Sequence, residues 1–347
     1  MRTGHHLAIV RVESTATGDS LDVGWVVDGG AVAVDLATGA TPDASGHVRR
    51  RTLDAGVTAT RVATLGSGRT FVSVTPRGGR PVVAADRLIP FGAASNFRDL
   101  GGYATRDGRR TRWGSVFRSD ALHGFDVADL DLFESLGIRT VFDLRSDAER
   151  AARPNSMPSI DRHISSRVDV GAPPQSGRVQ LDGLTTSDDG ESMMRDVYTG
   201  LVRVSAASIG SLLTELAVPA ARPTVFHCHA GKDRTGIVAA VLLLALGVDR
   251  EVVLDDYELS GRYWAPTSVR STSDRLVSWG ATPEAAAAVV GVQRRAMASA
   301  LDIIGSDGDD VDRWLVDSAG MSSRTIDLLR SELVEADDRD MSSSDAE

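Results

Sequence analysis

Val225 to Gly236 reads Val-Phe-His-Cys-His-Ala-Gly-Lys-Asp-Arg-Thr-Gly, and residue types at these spacings can do chemistry on a phosphate ester. Cys228 and Arg234 are separated by five residues, so a loop wrapping from one to the other encloses room for a single phosphate. The backbone N–H groups of His229, Ala230, Gly231, Lys232, Asp233 and Arg234 can line it. Pro223 to His227 has strand character, and Thr235 to Leu246 is apolar with no breaker before Gly247. The order is therefore strand, tight loop, helix. The helix start directs a positive dipole end at the loop, and the planar fork of Arg234 matches two phosphate oxygens. The same field favours Cys228 as a thiolate nucleophile at neutral pH. His227 is placed to orient it by hydrogen bonding, and Thr235 to donate to the sulfur when it leaves.

Composition marks the same stretch. The chain has 38 Lys and Arg residues, of which only Lys232 is Lys, and its one Cys is Cys228. A lone Cys is commonly a small buried hydrophobe, but a core Cys does not need Gly, Lys and Arg at these offsets before a helix. A nucleotide-binding loop of the Walker type does not fit either. Phe226 stands where its first Gly belongs, and Asp233 takes the Ser/Thr position.

His-Cys-x-x-Gly-Lys-x-Arg-Thr-Gly resembles the signature of cysteine-dependent phosphatases. With Asp233 inside the loop and Asn96-Phe97-Arg98-Asp99-Leu100-Gly101-Gly102 upstream, the pattern is similar to bacterial tyrosine and lipid phosphatases of the mycobacterial tyrosine phosphatase B type. The resemblance spans Phe91 to Val334. It implies an α/β catalytic domain with a parallel sheet flanked by helices, a phosphocysteine intermediate and no metal or cofactor. It also implies a phosphorylated protein or phosphoinositide as substrate. The Asp of the Asp-Leu-Arg-Ser segment, Asp143, matches the family's proposed general acid.

The elements that must hold this loop follow from the rest of the chain. Residues 1–90 show short alternating runs broken by Gly, Asp, Ser and Pro, which predicts a small β-sandwich-like accessory domain with Trp25 and Phe71 in its core. His5 and His6 lack carboxylate or thiolate neighbours for a metal site. Residues 91–335 form the catalytic domain. Asn96 to Gly102 suits a turn pinned by side-chain hydrogen bonds, with Arg98 or Asp99 lining the pocket as the alternative. Gly114 to Arg118 and Arg139 to Leu144 read as strands around a helix over Val127 to Leu136, giving a parallel layer. Ligands sit beyond the carboxyl ends of such strands, so topology puts Asp143 near Cys228. Asp143 then serves as the acid, or pairs with Arg145 or Arg118. Asp233 is its rival for the proton transfer.

Val168 to Gly190 is long, polar and rich in Gly, Pro and Ser, which predicts a lid or disorder. Helices are expected over Met193 to Val204, Ser208 to Val218, Asp249 to Leu259, Pro283 to Ile304, Val311 to Ser318 and Ser323 to Val334. Asp307 to Asp310 reads as a solvated turn, and residues 336–347 as an acidic, disordered tail.

At 347 residues, with 42% hydrophobic and 25% charged residues, the chain has the composition of an ordinary soluble protein. A net charge of −10 argues against nucleic acid and anionic membranes as partners, and no apolar run is long enough for an integral membrane span. One Cys allows no intramolecular disulfide, which fits the cytoplasm or release without a recognisable signal. The expected function is phosphomonoester hydrolysis on phosphotyrosine. Lys232 and His229 add cationic capacity that keeps phosphoinositides open. A phosphate-binding pseudophosphatase and a rhodanese-like sulfur carrier are the readings from other classes.

Overall fold

A computed structural model describes residues 7–15, 18–27, 32–39, 49–65, 69–79, 81–166, 168, 181, 183–305 and 308–335. The chain divides into two compact units, Met1–Ile89 and Pro90–Glu347. His5, His6 and the 336–347 tail lie outside the described residues, as do 169–180 and 182 of the expected lid.

The first unit contains β1 (Leu7–Ser14), β2 (Ser20–Val27), β3 (Val34–Gly39), β4 (Arg49–Leu53), β5 (Ala59–Ala63), β6 (Phe71–Pro76) and β7 (Val82–Ala85). They pair antiparallel in two sheets, ordered β1-β2-β5 and β4-β3-β6-β7. Leu21, Val23 and Trp25 are buried at alternate positions of β2, the period that gives a strand one inward face. Phe71 is buried at the start of β6.

The second unit is mixed α/β. Its strands are β8 (Arg98–Asp99), β9 (Arg110–Thr111), β10 (Val116–Ser119), β11 (Thr140–Asp143), β12 (Arg162–Ser165), β13 (Thr224–His227) and β14 (Val334–Glu335). Five of them form a sheet ordered β12-β11-β13-β10-β8, parallel except at β8, and β9 pairs with β14. The helices are α1 (Val127–Ser135), α2 (Asp147–Ala152), α3 (Ser187–Val204), α4 (Ala206–Leu216), α5 (Asp233–Ala245), α6 (Arg250–Tyr263), α7 (Pro266–Ser278), α8 (Pro283–Val290), α9 (Arg294–Ile304), α10 (Gly308–Asp317) and α11 (Ser323–Leu333).

β13 lies between two parallel neighbours and all four of its residues are buried, which is why it reads as an unbroken apolar run. α5 is buried on every side from Thr235 to Ala245, the mark of a central core helix. Gly247, at φ +84°, stops it, with its N–H donating to Leu244 O and that of Val248 to Leu243 O. In register, Ser119 of β10 and Asp143 of β11 both stand beside His227 of β13. The residues after each strand, Asp120, Leu144 and Cys228, therefore share the carboxyl edge of the sheet.

Several elements depart from expectation. Pro283 to Ile304 is two helices, α8 and α9, broken at Gly291–Gln293 by contacts described below. α3 starts at Ser187, because Thr186 and Asp189 form a reciprocal capping box. The α7 helix carries no buried residue, so its sequence lacks the apolar stripe that would announce it. Asp309 and Asp310 belong to the first turn of α10 and not to a solvated turn, since carboxylates complement a helix start.

Because α5 is the packing centre, Leu243→Ala is expected to cost about 2–5 kcal/mol. Urea unfolding followed by circular dichroism measures it, and a loss below about 1 kcal/mol would mean that α5 is not packed as described.

Candidate active site

The loop between β13 and α5 is gripped from behind. Asn96 Nδ2 donates to the carbonyl oxygens of Ala230 (3.2 Å) and Gly231 (3.1 Å), and Arg118 Nη2 donates to Gly231 O (2.8 Å). A trans peptide sets its C=O and N–H in opposite directions, so the N–H groups of Gly231 and Lys232 point away from these donors. Gly231 itself sits at φ +66°, and a Cβ on it would lie 2.7 Å from Asp120 N. Only Gly fits there.

The grip is anchored by a fully buried charge cluster. Arg118 Nη1 donates to Asp256 Oδ2 (2.6 Å), Arg98 Nε to Asp256 Oδ1 (3.2 Å), and Tyr103 OH to the same Oδ1 (2.7 Å). Arg98 Nη1 also bonds Asn96 Oδ1, which fixes the Asn96 amide that holds the loop. Burial alone would raise the Asp256 pKa, but the two guanidinium groups outweigh it and hold the carboxyl far below the usual range. Burial and the neighbouring Arg98 lower Arg118 to about 10, so it stays charged at neutral pH. Of the alternatives for Asn96 to Gly102, the pinned segment describes what is seen, with Arg98 behind the loop. Asp99 likewise pins a turn, accepting from Gly101 N (2.7 Å) and Gly114 N (2.8 Å).

Cys228 is 2% exposed at the sheet edge. His227 is fully buried beside it, with Nδ1 3.2 Å from Cys228 O and Nε2 3.2 Å from Asn155 Nδ2. A carbonyl only accepts, so Nδ1 carries the hydrogen and Nε2 accepts from Asn155. Burial takes the His227 pKa down to about 4, leaving a neutral ring. Its bond is to the Cys228 backbone carbonyl and not to the sulfur. The Thr235 hydroxyl is buried without a hydrogen-bond partner among the described residues.

Arg234 meets a residue that the sequence reading missed. Its Nη1 and Nη2 donate to Glu149 Oε2 and Oε1, each at 2.7 Å. Glu149 Oε2 also accepts from Ser146 N (2.9 Å) and Ser146 Oγ (3.0 Å), closing a capping box at the start of α2. Burial would raise the Glu149 pKa, but Arg234 and Ser146 prevail and bring it to about 2. The Ser-x-x-Glu spacing of 146–149 was the available signal.

Asp143 does not fit the role of acid. Arg145 Nε donates to its Oδ1 (2.8 Å), and Arg145 Nη2 to its Oδ2 (2.6 Å), with Asn155 Nδ2 3.3 Å from Oδ2. Burial acts to raise its pKa, but Arg145 and His227 lower it to about 2, so it is ionised and fully paired. Asp120, also missed, is buried beside Gly231, and burial raises its pKa. Both of its oxygens already accept from Ser95, Asn96 and Ser119. Asp233 differs, with its side chain 31% exposed in the first turn of α5.

Lys232 and His229 correct the expected cationic reserve. The Lys232 ammonium bonds the carbonyls of Val289 (3.1 Å), Val290 (2.7 Å) and Gly291 (2.8 Å), capping the end of α8, and the residue is 2% exposed. This accounts for the break between α8 and α9. Burial, aided by Arg153, lowers the His229 pKa, so its ring is neutral at neutral pH. Ala230 packs against Trp264 and Val290, so the segment running from the end of α6 to α8 covers the loop. A separate cleft of about 350 Å³ between Arg112, Arg222 and Glu332 lies at the amino ends of β10 and β13, with neither Cys nor His in its lining.

Residues 89–335 match a family model described as the tyrosine phosphatase family, and the chain belongs to that family. It is an enzyme of the protein-tyrosine phosphatase class. A Mycobacterium tuberculosis relative, triple specificity protein phosphatase PtpB, is 32% identical over 286 residues, covering 72% of this chain and 99% of its own. A Cupriavidus necator relative, named as a candidate tyrosine-protein phosphatase, is 30% identical over 238 residues, 66% of this chain and 83% of its own.

Since burial brings the folded His227 pKa to about 4 against an ordinary value of 6.5, the unfolded chain binds the extra proton between these values. Stability is full above the unfolded pKa and falls as pH drops through that window, by about 2 kcal/mol from pH 7 to pH 5. Urea unfolding at the two pH values measures it. His227→Gln is expected to flatten the slope, and equal slopes in the two proteins would contradict the burial of a neutral ring.

Proposed function

We propose that the protein hydrolyses phosphotyrosine through a phosphocysteine intermediate on Cys228. One observation carries this reading: α5 starts a few residues after the sole Cys with no side-chain cap, and among the described residues no side chain accepts from its first-turn N–H groups. Such a helix start is a ready-made anion site.

Cys228 Sγ attacks phosphorus, the S–P bond forming as the bond to the tyrosine oxygen breaks. Asp233 gives its proton to that oxygen. Asp233 then takes a proton from water as the new O–P bond forms and the S–P bond breaks. The Thr235 hydroxyl, which has no partner among the described residues, donates to the departing thiolate. Glu149 takes one N–H from each terminal nitrogen of Arg234, so Nε–H and the two remaining terminal N–H bonds serve the phosphate oxygens. With the N–H groups of Gly231 and Lys232 they act on charge that grows in the transition state.

Engagement of Lys232 with α8 and the neutrality of His229 support a substrate with one phosphate. Phosphoinositides, whose further phosphates call for a free cation, rank below phosphotyrosine. The name of the Mycobacterium tuberculosis relative supports a range wider than one ester class.

Phosphate release from a phosphotyrosine peptide and from phosphoinositide vesicles, with EDTA present, tests the reading. Turnover of the peptide should exceed that of the vesicles, and Cys228→Ser should lose a factor on the order of 10⁴–10⁶. Binding without turnover would indicate a pseudophosphatase, and thiosulfate turnover alone a sulfur carrier.

A further inference from the structure

Asp233 has one oxygen held and one free. Its Oδ1 accepts from the Tyr198 hydroxyl at 2.5 Å and lies 3.5 Å from Lys232 Nζ, whereas Oδ2 has no partner among the described residues. Tyr198 of α3 is fully buried, with its ring edge-on to that of Tyr257 of α6 at a centroid distance of 5.9 Å. The two phenol oxygens are 2.6 Å apart, and Gln293 N donates to Tyr257 OH at 2.9 Å.

Counting hydrogens gives this chain one direction. Oδ1 accepts whether Asp233 is ionised or carries a proton on Oδ2, so the single hydrogen of Tyr198 goes to Asp233. The hydrogen between the phenols must then come from Tyr257, whose oxygen accepts from Gln293. Burial and the Asp233 charge push both phenol pKa values up, so both keep their hydrogens. Each bond polarises the next, and a fully satisfied buried chain is rigid.

The chain also reaches the covering segment. Gln293 follows Val289, Val290 and Gly291, whose carbonyls bind Lys232. The α8–α9 break is thus bonded twice to the loop, through Lys232 and through the two tyrosines.

We propose that Tyr198 and Tyr257 are positioning residues for Asp233, holding Oδ1 so that Oδ2 carries the proton given to the leaving group. This rests on the reading of Asp233 as the general acid. The proton on Oδ2 passes to the leaving oxygen as the P–O bond breaks, and Oδ2 regains one from water in the second step. The tyrosines transfer none.

Leaving groups separate this role from a structural one. Phenyl phosphate releases a phenolate of pKa about 10 that needs a proton, whereas an activated nitrophenyl phosphate depends on one far less. Tyr198→Phe is expected to lower kcat/KM, which reports the step that expels the leaving group, about 10-fold on phenyl phosphate and about 2-fold on nitrophenyl phosphate. In an Asp233→Asn background the same change should add less than about 2-fold on either substrate. Tyr257→Phe should act in the same direction at about 3-fold, and carries the test if Tyr198→Phe does not fold. Equal losses on both substrates, or an undiminished loss in the Asp233→Asn background, would overturn the proposal. If Asp233→Asn itself loses equally on both substrates, the reading of Asp233 as acid falls instead.

Discussion

The carbonyl oxygen of Gly231, held by Asn96 and Arg118, is the contact on which the site depends. A loop closing on an anion must turn its amides inward, and its carbonyls then need partners on the outer side. Here those partners are side chains with almost no access to water. Their own charges are met by Asp256, which takes donors from Arg98, Arg118 and Tyr103. Removing one member of such a cluster costs ~3–5 kcal/mol, because the others are left buried and unpaired. The loop's shape is therefore fixed before any phosphate arrives.

Around that grip, the side chains proposed to act with Cys228 are each held by a group from a different element. Glu149 of α2 holds Arg234, and the Tyr198–Tyr257 pair from α3 and α6 holds Asp233. Lys232 ties the loop to the end of α8. Preorganisation of this kind leaves little for the transition state to rearrange. Cationic groups that appear available in one dimension are engaged in three, which narrows the charge the pocket can offer.

Local features of the sequence translated well. The apolar run before Cys228 is a strand, the run after it is the core helix, and Asp249 caps α6 as its position implied. Patterns of this kind depend on neighbours a few residues away. What depends on partners far along the chain did not translate. With 48 Asp and Glu residues and 38 Lys and Arg, spacing does not say which pair. Asp143 looked like an acid because topology put it near Cys228, yet Arg145, two residues on, neutralises it. The α8–α9 break was missed for the same reason: Gly291 stands at it, but the groups that hold it, Lys232 and Tyr257, lie far off in sequence.

The central claim is that Cys228 takes the phosphoryl group. Acid quenching during the first turnover of a phosphotyrosine peptide, followed by digestion and mass spectrometry, tests it most directly. The account predicts one phosphoryl group on the peptide containing Cys228, at the sulfur. Release of phosphate with that peptide never modified, or with the label on His227 or His229, would contradict it.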